Sequence, residues 1–102
     1  MFVSVYVTAK SKGEAQKLCD LLITRRLAAC ASIFPIESTY RWKGKVARAR
    51  EYAIIAKTKK LLVRRLAHAV KEVHSYSVPC VVAWPIVQGD SGYLRWVQKE
   101  TR

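Results

Sequence analysis

The chain has 102 residues, 51% of them apolar, and carries 19 Lys and Arg against 7 Asp and Glu, a net charge of +12. That length fits one domain, residues 1–102, with enough apolar surface for a core and something to gain from self-association. No apolar run approaches the roughly 20 residues of a bilayer span. Three widely spaced cysteines with no Cys-x-x-Cys argue against a disulfide framework or a structural zinc site.

Met1 to Ala9 alternates as a strand, with Val3, Val5 and Val7 on one face and Ser4, Tyr6 and Thr8 on the other. No basic start with an apolar block precedes it, so no signal peptide is expected and the expected compartment is the cytoplasm. Ser11 and Glu14 have the spacing of a capping box. The helix they open is expected to run to about Arg26, with Ala15, Leu18, Cys19, Leu22 and Ile23 on its apolar face. Leu27-Ala28-Ala29 links it to the next segment.

Cys30 to Thr58 reads as a long hairpin turning at Trp42-Lys43-Gly44-Lys45. Gly44 marks the bend, because it alone takes positive φ without steric cost. At roughly 3.3 Å per residue an arm reaches about 40 Å, whereas a domain of about 100 residues has a radius of gyration of about 13 Å. The outer part, Ser38 to Arg50 with Tyr40 and Trp42, must therefore project and is expected to pack on another copy of the chain. Pro35, which cannot donate to a ladder, predicts a bulge or bend in the first arm.

A second helix is expected over about Lys60 to Val73, with Leu62, Leu66, Ala69, Val70 and Val73 at helical spacing. His74-Ser75-Tyr76-Ser77-Val78-Pro79 follows as a polar connection, Cys80 to Trp84 as a short strand, and Gly89 to Gly92 as a turn with Asp90 or Ser91 as cap. Tyr93, Leu94, Trp96 and Val97 mark a final short helix ending near Glu100. The order is the α+β, ferredoxin-like βαββαβ arrangement with a long β-hairpin and an extra C-terminal helix. Its helices would cover one sheet face and leave the other to self-association.

For chemistry, a soft metal ion needs Cys or His, and Cys30, His74 and Cys80 are the available candidates. A small anion could use Lys57 and Arg41 between the aromatic walls of Tyr40, Trp42 and Tyr76. His68, beside the apolar stripe of the second helix, is read as structural. The acids are spread singly and no glycine-rich phosphate loop is present, so no enzyme is expected. Lys and Arg cluster between Arg41 and Arg65, where Glu51 is the only acid. This favours anionic partners, but without a nucleic-acid motif the expected role of the charge is solubility.

Val7-Thr8-Ala9, Arg26-Leu27-Ala28-Ala29-Cys30, Tyr40-Arg41-Trp42-Lys43-Gly44-Lys45, Lys57-Thr58, His74-Ser75-Tyr76-Ser77-Val78-Pro79, Pro85-Ile86 and Gly89 followed by Tyr93-Leu94-Arg95-Trp96 together resemble the CutA-type divalent-cation tolerance proteins over essentially the whole chain. The resemblance implies a ferredoxin-like fold, a compact homotrimer held by its hairpins, and a non-enzymatic cytoplasmic role linked to metal ions, chiefly copper. A further likeness to the PII nitrogen-signalling proteins implies ligand sites between subunits. The alternatives are a PII-like sensor of a small anion and a nucleic-acid-binding module using the basic hairpin. The family pattern usually has Pro and two Glu where this chain has Ser75, Ser77 and Cys80. Some members carry Cys and His where Val7 and Val73 stand. A copper site carried over from them would keep only His74. The thiol of Cys80, in place of a carboxylate, would favour Cu(I) or Zn(II) with His74 and with Cys30 as third ligand. No cofactor is implied beyond copper or another divalent metal ion.

Overall fold

The computed structural model describes residues 1–102. It contains β1 (Phe2–Ala9), α1 (Lys12–Thr24), β2 (Cys30–Trp42), β3 (Lys45–Lys59), a 3-10 turn (Lys60–Leu62), α2 (Val63–Val73), β4 (Val81–Pro85) and α3 (Ser91–Glu100). The strands form one antiparallel sheet in the order β2-β3-β1-β4. This is the ferredoxin-like topology expected from the element order.

Valines alternating along β1 put Val3, Val5 and Val7 under the helices, where they join Leu18, Leu22, Leu66 and Val70 in a continuous core. Ser11 caps α1 by accepting from the Glu14 amide at 3.1 Å. The Glu14 carboxylate reaches back to the Lys10 amide, one residue before the cap, at 3.2 Å. The helix ends at Thr24 rather than Arg26. Arg26 takes a left-handed φ of 56°, and the Leu27 and Arg26 amides bond back to the Leu22 and Ile23 carbonyls. This is a Schellman stop with arginine where glycine is usual.

The hairpin is the longest feature of the fold. Its arms pair without interruption from Cys30↔Lys57 to Trp42↔Lys45, and the molecule measures 44 × 25 × 21 Å. Both turn residues, Lys43 at φ 51° and Gly44 at φ 79°, lie in the left-handed region, as a two-residue type I′ turn requires. Pro35 pairs in register with Tyr52 and makes no bulge, which corrects the sequence expectation. The reason is that β2 is an edge strand, where alternate N–H positions face away from the sheet and a missing donor costs no ladder bond.

At the other end, β4 begins at Val81, one residue later than expected, and α3 is capped by Asp90, which accepts from the Tyr93 amide at 2.9 Å. No helix is long and apolar enough to cross a membrane.

Candidate functional site

A concave pocket of about 760 Å³ opens where the outer hairpin, the end of β1 and the segment after α2 meet. The hairpin supplies Glu37 to Tyr40, Trp42 and Glu51, β1 supplies Tyr6 and Thr8, and the later segment supplies Tyr76, Ser77, Val78 and Cys80. Strand alternation explains the grouping. Tyr40 and Trp42 share the sheet face of Tyr6 and Thr8, which is the face the helices leave open.

The segment from His74 to Cys80 is held across this face by side-chain hydrogen bonds. Glu14 accepts from the Ser75 amide at 2.9 Å. His74 Nε2 donates to the Thr8 carbonyl at 2.7 Å, and its Nδ1 accepts from the Tyr76 amide at 3.0 Å. This pair of bonds fixes the neutral Nε2–H tautomer. Tyr76 then donates its hydroxyl to Glu51 Oε2 at 2.6 Å. Burial, followed by the hydrogen bond to Glu51 and the charge of that carboxylate, pushes the Tyr76 phenol well above its usual range.

The sequence-predicted site residues divide between two ends of the sheet. Tyr40, Trp42, Tyr76 and Cys80 come together in the pocket. Arg41 alternates onto the opposite face and is exposed. Lys57 pairs with Ser4 and Cys30, six residues along β3 from Glu51, which is about 20 Å away. The pocket therefore contains two glutamates and no Lys or Arg. Within one chain, strand period and strand length separate the cations Lys57 and Arg41 from the aromatics of the pocket.

The proposed metal set is separated in the same way. Cys30 lies at the Lys57 end, where its Sγ shares a 3.1 Å hydrogen bond with the Tyr93 hydroxyl. That bond, with burial behind it, raises the Tyr93 phenol to about 12. His74 is near the pocket, but one ring nitrogen carries the proton given to Thr8 and the other already accepts from Tyr76. A metal would have to displace one of these bonds. The Cys80 thiol is raised by burial and then by the charge of Glu51. This is opposite to the lowering expected from the chain's positive charge, and thiolate is the form that binds soft metals. No group of three or more His, Cys, Asp and Glu side chains is placed to hold a metal ion. The donors of one chain thus do not fit a metal centre.

Sequence reasoning missed Glu51, Glu14, Tyr6 and Thr8 as parts of this site. Only Glu51 left a signal, as the single acid between Arg41 and Arg65. It is buried to 6% exposure, and its hydrogen-bond partner Tyr76 lies 25 residues away, a pairing that no local pattern predicts.

Comparison with known proteins gives the same frame. The profile of the family described as CutA1 divalent ion tolerance protein matches residues 3–100. The divalent-cation tolerance protein CutA of Archaeoglobus fulgidus is 40% identical over 95 residues, 93% of each chain. The chloroplastic protein CutA of Arabidopsis thaliana is 41% identical over 101 residues, and the chain spans 56% of that longer relative. Among solved structures, the divalent cation tolerance protein of Thermus thermophilus superposes with a TM-score of 0.97 at 37% identity, covering 100% of both chains. An Archaeoglobus fulgidus protein described as periplasmic superposes with a TM-score of 0.96 at 39% identity, covering 98% of each. Neither the PII-like nor the nucleic-acid alternative gains support from these matches. The chain belongs to the CutA1 divalent ion tolerance protein family.

Proposed function

We propose that the chain acts as a non-enzymatic homotrimer in cytoplasmic divalent-cation tolerance, with residues 1–102 as one domain and copper as the first ion to test. The observation that carries this reading is the uncovered sheet face. Tyr40, Trp42 and Trp84 are 43%, 45% and 45% exposed, and Phe34 and Val82 are exposed on the same face. A contiguous aromatic and aliphatic surface of this kind is the mark of an interface. A projecting two-stranded ribbon also needs a neighbour for stability. The free thiols of Cys19, Cys30 and Cys80 suit a reducing compartment.

The pocket supports a ligand role that includes Tyr40, Trp42, Tyr76 and Cys80, with Glu51 as its buried charge. Two carboxylates and no cation favour a cationic or hydrogen-bonding ligand over the small anion of the PII-like alternative. Cys80 is its one soft donor. A complete metal site would need donors from more than one copy, because one chain does not supply them.

Sedimentation at micromolar concentration tests the assembly, and a monomer there overturns it. A Cu(I) competition titration of wild type, Cys80→Ser and His74→Ala tests the metal contact. Weakening in Cys80→Ser supports it, and equal affinities in all three proteins remove it.

A further inference from the structure

On the helix side of the sheet, away from the uncovered face, the C-terminus of α1 and the face of α2 from Arg64 to Glu72 enclose a second cleft of about 360 Å³. It is lined by Arg25, Arg64, Arg65, His68 and Glu72, with Leu27 and Ala69 at its base. Three guanidinium groups thus line the cleft with a single carboxylate. Glu72 is shared: it meets Arg25 Nη1 at 3.9 Å and His68 Nε2 at 3.6 Å. The one other ion pair, Arg26 with Glu100, leaves Arg64 and Arg65 without an acidic partner.

Their position makes this more costly. Arg64 and Arg65 stand in the first turn of α2, which has no acidic residue. The first turn is the positive end of the helix dipole, where anions are stabilised and cations are not. Arg25 is brought alongside by the Schellman stop of α1, whose left-handed residue is Arg26. Three cations line one concave surface, Arg64 and Arg65 at the α2 N-terminus and Arg25 beside Glu72, and the protein provides only that one shared carboxylate to offset them.

We propose that this cleft binds a small phosphoryl anion, held by Arg25, Arg64, Arg65 and His68, with Glu72 as an internal competitor for two of those groups. Guanidinium forks match the geometry of phosphoryl oxygens and form charge-assisted, bidentate hydrogen bonds to them. The volume lies at the low end of the range for ligand pockets, about 300–1,000 Å³, which fits a small anion.

The test is calorimetric titration of the intact protein with pyrophosphate, and separately with inorganic phosphate, at constant ionic strength so that general screening is held fixed. Saturable binding of pyrophosphate at one site per chain is expected. The double variant Arg64→Ala/Arg65→Ala should weaken it by at least about tenfold, the loss expected when charge-assisted hydrogen bonds are removed. Glu72→Gln should act in the opposite direction and tighten it, since Arg25 and His68 lose their competing carboxylate. These side chains are exposed, and a far-UV spectrum confirms that each variant is folded. Absence of saturable binding overturns the proposal. So does unchanged affinity in the double variant, which would place the anion on other cations such as those of the hairpin.

Discussion

The Tyr76 hydroxyl donates to Glu51 Oε2 across 2.6 Å and closes the chain of hydrogen bonds that ties the segment after α2 to the sheet. Glu51 is 6% exposed, so this bond is its main compensation for leaving water. Tyr76→Phe is expected to destabilise the fold by about 1–3 kcal/mol, the range for leaving a buried polar partner unmet. The sign of the pH effect follows from the raised Tyr76 phenol. A raised folded-state value means that the stabilisation is complete below the unfolded tyrosine value of about 10 and is lost as pH rises from there toward the folded value. Guanidinium unfolding of wild type between pH 9 and 11 should show this fall, and Tyr76→Phe should show less of it.

Glu14 anchors the other end of the same segment. Burial acts to raise its carboxyl, but the hydrogen bonds from Ser75 and Lys10 outweigh burial, and the net shift is downward. For a depressed carboxyl, stability is present above the unfolded value and is lost as pH falls through the folded one. Glu14→Gln should flatten the acid side of the stability profile. It should also speed amide hydrogen exchange at Ser75, whose N–H the carboxylate accepts. Exchange at Ser75 equal to wild type would show that Glu14 does not hold the segment.

Much of the fold was legible because its signals are local. The alternation of Val3, Val5 and Val7, the cap at Ser11 and the turn at Gly44 each depend on a few neighbouring residues, and each occurs where sequence placed it, while the structure chooses Asp90 over Ser91 as the last cap. The site was less legible because it depends on strand register. Arg41 sits between Tyr40 and Trp42 in the sequence, yet alternation turns it away, and register carries Lys57 to the far end of the sheet. The end of α1 failed for a different reason. Arg26 adopts a backbone conformation that composition assigns to glycine.

Cysteine reactivity can be tested at two of the thiols, Cys19 and Cys80. Burial, with the charge of Asp20 behind it, raises Cys19 to about 11. Burial and then Glu51 raise Cys80. Since thiolate is the reactive form, Cys19 should resist an alkylating reagent at pH 8 until the protein unfolds. Glu51→Gln should accelerate alkylation of Cys80 by removing the nearby negative charge. Mass spectrometry of the labelled protein gives the rates, and an unchanged Cys80 rate in that variant would remove Glu51 as a cause.

Trp42 carries the assembly prediction. It is 45% exposed in the single chain, with Lys43 Nζ 5.9 Å from its ring. An aromatic side chain buries about 150–250 Å² in full. Covering the remaining part at about 25 cal/mol per Å² is therefore worth about 2–3 kcal/mol per protomer. This is less than a fully buried ring would contribute, because the hairpin and pocket already shelter half of it. Trp42→Ala should thus raise the concentration at which the proposed homotrimer dissociates and leave the core of Val5, Leu22 and Leu66 untouched. Sedimentation equilibrium across a concentration series measures the change. A wild type and variant that dissociate together would show that the hairpin tip lies outside the interface, and the uncovered aromatic face around Tyr6 and Trp84, whose rings sit 6.0 Å apart, would have to hold the assembly alone.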